Sequence, residues 1–322
     1  MLRHAQDNHA LALAVLTLAL GIGFNAVNQR ATRYCFLISD WLMHFQNAIF
    51  AGGGSRCLWQ VGFWDGANKA GLGLDTSVNY AASTSAGCAM ALVVMLGRGP
   101  EALALFKKLT AANPANIHWQ NLKPGSAKPL FPHLRMYRQA LEEFLQPDDL
   151  QNLEGKQLEF LMARFPRYMP SSLGTALAFT IYGLEKHITG VLHPRWTCKL
   201  GFTQIVANSR EATAVGELVD AILASTCVPP VLAGDGFRGQ RVLDGGIIDN
   251  VPAHLADGRE GKTLVLLSKR YRQELPLPGQ RVYVQPSERI TLDKFDYANP
   301  EGLQQTYDLG RRDGAAFAAA FS

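Results

Sequence analysis

The chain has 322 residues, 48% of them apolar and 18% charged, with no low-complexity tract, which is the composition of an ordinary globular protein with a sizeable core. Its formal net charge of +4 is mild for this length, and its basic residues are scattered apart from short clusters such as Lys269-Arg270-Tyr271-Arg272. That pattern excludes an evident nucleic-acid partner and leaves a solvated basic face, with a weak attraction to anionic membrane surfaces still open.

In chain order, Ala10 to Gln29 carries no formal charge and opens on an apolar run from Leu11 to Leu16. Four readings stand: a signal sequence, a membrane anchor, a helix packed on the domain, or an extension without a role. Residues 1–42 are therefore set apart as an apolar extension, and residues 43–322 as the folded domain. From Gln46 the pattern becomes strand, glycine-rich turn, helix, strand, tight turn, helix. Asn47 to Ala51 reads as a buried strand, Leu58 to Ala70 as a helix closed by Gly71, Val78 to Ala82 as the next strand, and Ala86 to Leu96 as an apolar helix. This β-α-β alternation predicts a parallel sheet with helices on its faces. Residues 100–195 show mainly helical patterns (Glu101 to Ala111, Leu134 to Leu145, Leu173 to His187) punctuated by prolines, and predict a helical insertion over one edge of the sheet. Strand signals return at Phe202 to Val206, Arg241 to Leu243, Thr263 to Leu267 and Arg281 to Val284. Helices are expected over Glu217 to Ser225 and from Pro300 to Phe321.

Five cysteines, Cys35, Cys57, Cys88, Cys198 and Cys227, are odd in number, irregularly spaced and without a C-x-x-C pair. They suggest neither a disulfide framework nor a zinc site, and fit reduced thiols in a cytosolic setting. No calcium-type loop is visible, so no metal or other cofactor is expected.

Three motifs carry chemistry. Gly52-Gly53-Gly54-Ser55-Arg56 lies between a strand and a helix, where glycines let backbone N–H groups point into a cavity and the helix adds its positive end. In acyl transfer such a turn stabilises the negative charge on the ester oxygen. A dinucleotide-binding turn would need glycine where Cys57 stands. Ser83-Thr84-Ser85-Ala86-Gly87, again between strand and helix, fits a nucleophile elbow, with Ser83 in place of the usual first glycine. Asp244-Gly245-Gly246 follows a strand, at the carboxyl end where open α/β sheets bind ligands. Each has a plain alternative: a tight connection, a helix N-cap, an ordinary turn.

In this order the three resemble the motifs of the patatin-like lipid acyl hydrolases, over residues 46 to about 316. The segment Ala221 to Pro230 also looks like that family's stretch before the aspartate strand. The resemblance implies an α/β fold of three layers, α/β/α, with a mainly parallel central sheet. It implies Ser85 as nucleophile, Asp244 as base, Gly52, Gly53, Gly54 and Arg56 as the oxyanion region with Gly53 and Gly54 as its donors and Arg56 holding the loop, and Ser83 and Gly87 as elbow residues. The activity it implies is a phospholipase A or lysophospholipase type of ester cleavage by a Ser-Asp dyad. A lipid or phospholipid substrate and peripheral membrane contact follow, in a cytoplasmic or membrane-associated setting. A free aspartate is a poor base near neutral pH, and partial desolvation would match it better to the task. Two alternatives stay open: a Ser85, Asp, His254 triad, and a lipid-binding protein that keeps the fold with little turnover.

Overall fold

The computed structural model describes residues 44–321 except 124, 125, 127, 190, 191, 194, 195 and 235, so the apolar extension over residues 1–42 lies outside the described residues. Strand β1 (Phe45–Phe50), helix α1 (Leu58–Lys69), strand β2 (Tyr80–Thr84) and helix α2 (Gly87–Met95) follow one another as the sequence alternation predicts. Helices α3 (Gly99–Ala111) and α4 (His133–Phe144) come next, then β3 (Gln157–Arg164), α5 (Ser171–Thr189), β4 (Thr203–Asn208) and α6 (Val215–Ser225). The chain closes with β5 (Val242–Asp244), β6 (Lys262–Leu266), β7 (Arg281–Val284) and α7 (Pro300–Phe321).

The strands form one sheet in the order β4-β3-β2-β1-β6-β7, with β5 also paired to β3. β1, β2, β3, β6 and β7 run parallel, while β4 and β5 lie antiparallel to β3. Side-chain alternation divides the interior. Ala48 and Phe50 of β1 face a core built with Trp59, Phe63, Leu92, Leu141 and Ile222 from α1, α2, α4 and α6. Ile49 and Ala51 face the opposite side, under Val251 and Ala253. Farther along that second face, Ala178 of α5 packs on Ala163 of β3. The result is three layers, because each face of a sheet buried on both sides must be covered by another element.

Helices α1 and α7 pack backbone to backbone. A Cβ added at Gly62 would stand 2.0 Å from the Tyr307 carbonyl oxygen, and one at Gly310 would stand 2.1 Å from that of Trp59. Gly62 and Gly66 on α1, like Gly310 and Gly314 on α7, are four apart and so share a helix face. This close contact anchors α1, which follows the triple glycine through one 3-10 turn.

The expected helical insertion over residues 100–195 is corrected by β3. This strand lies inside the sheet, between β2 and β4, not over an edge. Its residues, Gln-Leu-Glu-Phe-Leu-Met-Ala-Arg, include strong helix formers, and the alternation dissolves after Phe160 because Phe160 to Ala163 are all buried. β2 also starts two residues later than the sequence suggests and continues through Ser83 and Thr84.

Candidate active site

β1 is where the strand order turns: β2 lies on one side of it and β6 on the other. Open α/β sheets bind ligands at such a switch point, beyond the carboxyl ends of the strands. The triple glycine leaves β1 at that end. Gly52 is fixed from both sides, its N–H donating to the Asn250 carbonyl at 3.1 Å. Its own carbonyl accepts from Asn250 Nδ2 at 3.0 Å and Ser268 Oγ at 2.6 Å. Gly52 therefore supports the loop, and its N–H is committed to the Asn250 carbonyl. Gly54 has φ of 61° and opens a 3-10 turn, Gly54–Cys57, that runs into α1. Among the described residues no acceptor takes the N–H of Gly53 or Gly54, as expected for the first amides of a helical segment. Arg56 Nε donates to the Gly53 carbonyl at 3.4 Å, and Cys57 Sγ donates to that of Ala51 at 3.4 Å. Cys57 thus ties the loop down. Burial pushes its thiol well above the ordinary range, and pushes that of Cys88 up to about 12, so neither is a thiolate near neutral pH.

Ser85 has φ of 55°, a left-handed conformation that costs an ordinary residue about 1–2 kcal/mol and marks a built turn. Ser83, in place of the first elbow glycine, sits in β2 with its hydroxyl donating to the Glu159 carbonyl at 3.1 Å. Gly87 lies against β1, and a Cβ there would stand 2.6 Å from the Phe50 carbonyl oxygen.

The register of β3 brings the third motif to the second. One edge of β3 pairs with β4 over Glu159 to Arg164. On its other edge, β2 pairs over Gln157 to Leu161 and β5 over Met162 to Arg164. Thr84 is opposite Leu161 and Asp244 is opposite Met162. β2 and β5 therefore meet end to end along one edge, running toward each other, with Ser85 and Asp244 at the meeting point. Gly245 passes so close to β3 that a Cβ would stand 2.1 Å from the Leu161 carbonyl oxygen, which is why glycine follows the aspartate. Asp244 is buried, its Oδ1 accepts from the Gly246 N–H at 2.7 Å, and its own N–H donates to the Cys227 carbonyl at 2.8 Å.

Gly52, Gly53, Gly54, Arg56, Ser85 and Asp244 all line one pocket of about 540 Å³, whose other walls include Lys269, Lys294 and Asp293. Ala86, at the start of α2, lines it too. His254 does not. It sits in the 3-10 turn Ala253–Ala256, with Nε2 3.0 Å from Gln204 Oε1 and Nδ1 3.3 Å from Asp249. His193 Nδ1 meets the same Asp249 carboxylate at 3.0 Å. Among the described residues no group of three or more His, Cys, Asp or Glu is arranged to hold a metal ion. Sequence reasoning missed Asn250 and Ser268, which clamp Gly52, and Ser225, which accepts from the Ser85 N–H at 2.9 Å. Nothing local distinguishes Asn250 or Ser268, which reach the site only through the fold, whereas Ser225 lies in the family-like stretch Ala221 to Pro230.

A model of the patatin-like phospholipase family matches residues 48–257, more than half of the chain and all three motifs. The chain belongs to the patatin-like phospholipase family. No curated protein matches it. The patatin-like family acts on lipid substrates as ester hydrolases, and its α/β fold with a mainly parallel sheet flanked by helices is the architecture described above.

Proposed function

We propose that the chain is a serine lipid acyl hydrolase of the phospholipase A or lysophospholipase type, with Ser85 as nucleophile and Asp244 as its base. The observation that carries this reading is the end-to-end meeting of β2 and β5, which puts Ser85 and Asp244 in one pocket with the open N–H groups of Gly53 and Gly54. Asp244 takes the Ser85 hydroxyl proton as Oγ attacks the acyl carbonyl. The N–H groups of Gly53, Gly54 and Ala86 receive the charge that develops on the carbonyl oxygen. Asp244 returns the proton to the departing alcohol, and a water activated by the same carboxylate then releases the acyl group from Ser85. Arg56 keeps the glycine loop in shape from its Nε contact with Gly53.

The pocket's cations, Arg56, Lys269 and Lys294, outnumber its anions, Asp244 and Asp293, which suits a phosphate-bearing head group. Peripheral contact with a lipid surface is part of the same reading. Leu173, Leu184 and Ile188 on α5 are exposed, and Phe179, Tyr182 and Gly183 of that helix line the pocket. A cytoplasmic or membrane-associated setting accords with both, and among the described residues no helix is long and apolar enough to cross a membrane. Labelling by a fluorophosphonate tests the nucleophile. The reading expects covalent modification of the parent and none of Ser85→Ala. A folded parent that resists the reagent would point instead to a lipid-binding protein without turnover.

A further inference from the structure

Ser225 is the last residue of α6 and is fully buried. Its hydroxyl donates to the Leu161 carbonyl at 2.7 Å, and it accepts from the Ser85 N–H at 2.9 Å and from Cys88 Sγ at 3.2 Å. One donor and two acceptor positions are all that a serine hydroxyl has, so this one is saturated. Leu161 is the β3 residue opposite the last residue of β2, one step before the partner of Asp244. The hydroxyl thus joins the elbow to the strand along which the two catalytic candidates meet. Two residues on, the Cys227 carbonyl accepts the Asp244 N–H at 2.8 Å. The stretch Ser225 to Cys227 therefore holds the backbone N–H of both candidates, one by a side chain and one by a carbonyl.

We propose that Ser225 is a positioning residue whose hydroxyl keeps the nucleophile elbow in register with the aspartate strand; this rests on the reading of Ser85 as nucleophile. A left-handed serine persists only where its surroundings hold it. Replacing Ser225 by alanine leaves the Ser85 N–H and the Leu161 carbonyl without this partner in the interior, and the elbow relaxes toward ordinary φ. Displacing a reacting group by about 1 Å costs on the order of 10²-fold in rate.

The test compares the parent, Ser225→Ala, Ser225→Thr and Ser85→Ala on a soluble p-nitrophenyl ester, with fluorophosphonate labelling and hydrogen exchange at the Ser85 amide read alongside. For Ser225→Ala we expect kcat and labelling rate to fall on the order of 10²-fold with KM changed less than about threefold, as for an interaction made in the transition state. The Ser85 amide should lose protection in that variant, and Ser225→Thr, which keeps the oxygen, should recover both. A folded Ser225→Ala with parental kcat, or with parental protection at Ser85, overturns the proposal. Should Ser225→Ala fail to fold, Ser225→Thr decides alone: retained protection supports the anchor, and lost protection with the hydroxyl present overturns it. A parent as inert as Ser85→Ala would instead refute the hydrolase reading, while hydrogen exchange still decides whether Ser225 holds the elbow.

Discussion

Substituting Gly54 by alanine probes the oxyanion loop at its tightest point. Gly54 has φ of 61°, which alone costs a residue with a Cβ about 1–2 kcal/mol. The larger effect is steric. The new Cβ would stand 1.9 Å from the Lys294 carbonyl oxygen, where real Cβ contacts essentially never come under 3.0 Å. That oxygen is backbone and already accepts the Ser55 N–H at 2.9 Å, so it has little freedom to withdraw. The loop must therefore move by about 1 Å, carrying the N–H groups of Gly53 and Gly54 off the oxyanion position. Loss of one such donor costs about 10²–10³-fold in kcat, and the misplacement alone about 10²-fold. Steady-state kinetics on a soluble ester should show that loss in kcat, with KM changed only a few-fold, and a denaturant melt should show the variant still folded. A folded Gly54→Ala enzyme with kcat within a few-fold of the parent would refute the assignment of this loop as the oxyanion site.

Further outcomes follow from the same geometry. Asp244→Ala should abolish ester cleavage, whereas His254→Ala should leave kcat near the parental value because His254 lies outside the pocket; the reverse result would replace the dyad by a triad. Gly310→Ala should destabilise the fold by roughly 1–3 kcal/mol in a urea melt, since its Cβ would press on the Trp59 carbonyl, and an unchanged midpoint would contradict the α1–α7 contact. Burial pushes the Asp249 carboxyl up, but hydrogen bonds with His193 and His254, the His193 charge and the Val251 N–H outweigh it and hold it below the ordinary carboxylate range. A depressed folded value means stability that is full above the unfolded value of about 3.9 and is lost as pH falls through the folded one. The stability gap between parent and Asp249→Asn should thus begin to shrink as pH falls below about 4, and a gap that stays undiminished down to acid unfolding would refute this role.

Much of this architecture is legible in the sequence because the elements that carry the site have strong local signals. The triple glycine, the serine before an apolar helix and the Asp-Gly-Gly turn each sit beside a short apolar strand, and close packing forces their glycines, as at Gly87 and Gly245. Illegible were features that depend on pairing far along the chain. β3 goes unrecognised inside a stretch of mainly helical pattern because an interior strand has lost its alternation, yet its register brings Ser85 and Asp244 together. The Asn250 carbonyl that takes the Gly52 N–H lies 198 residues away and has no local trace in the sequence. Ser225 could be noticed within a family-like stretch, but its contact with the Ser85 amide spans 140 residues and has no local trace.

The central claim, that this chain cleaves lipid esters through Ser85, is tested most directly by fatty-acid release from a panel of phospholipids, lysophospholipids and acylglycerols, with Ser85→Ala run beside the parent. The account predicts release by the parent from at least one lipid class and none by the variant. Release by both, or by neither when both are folded, would contradict it.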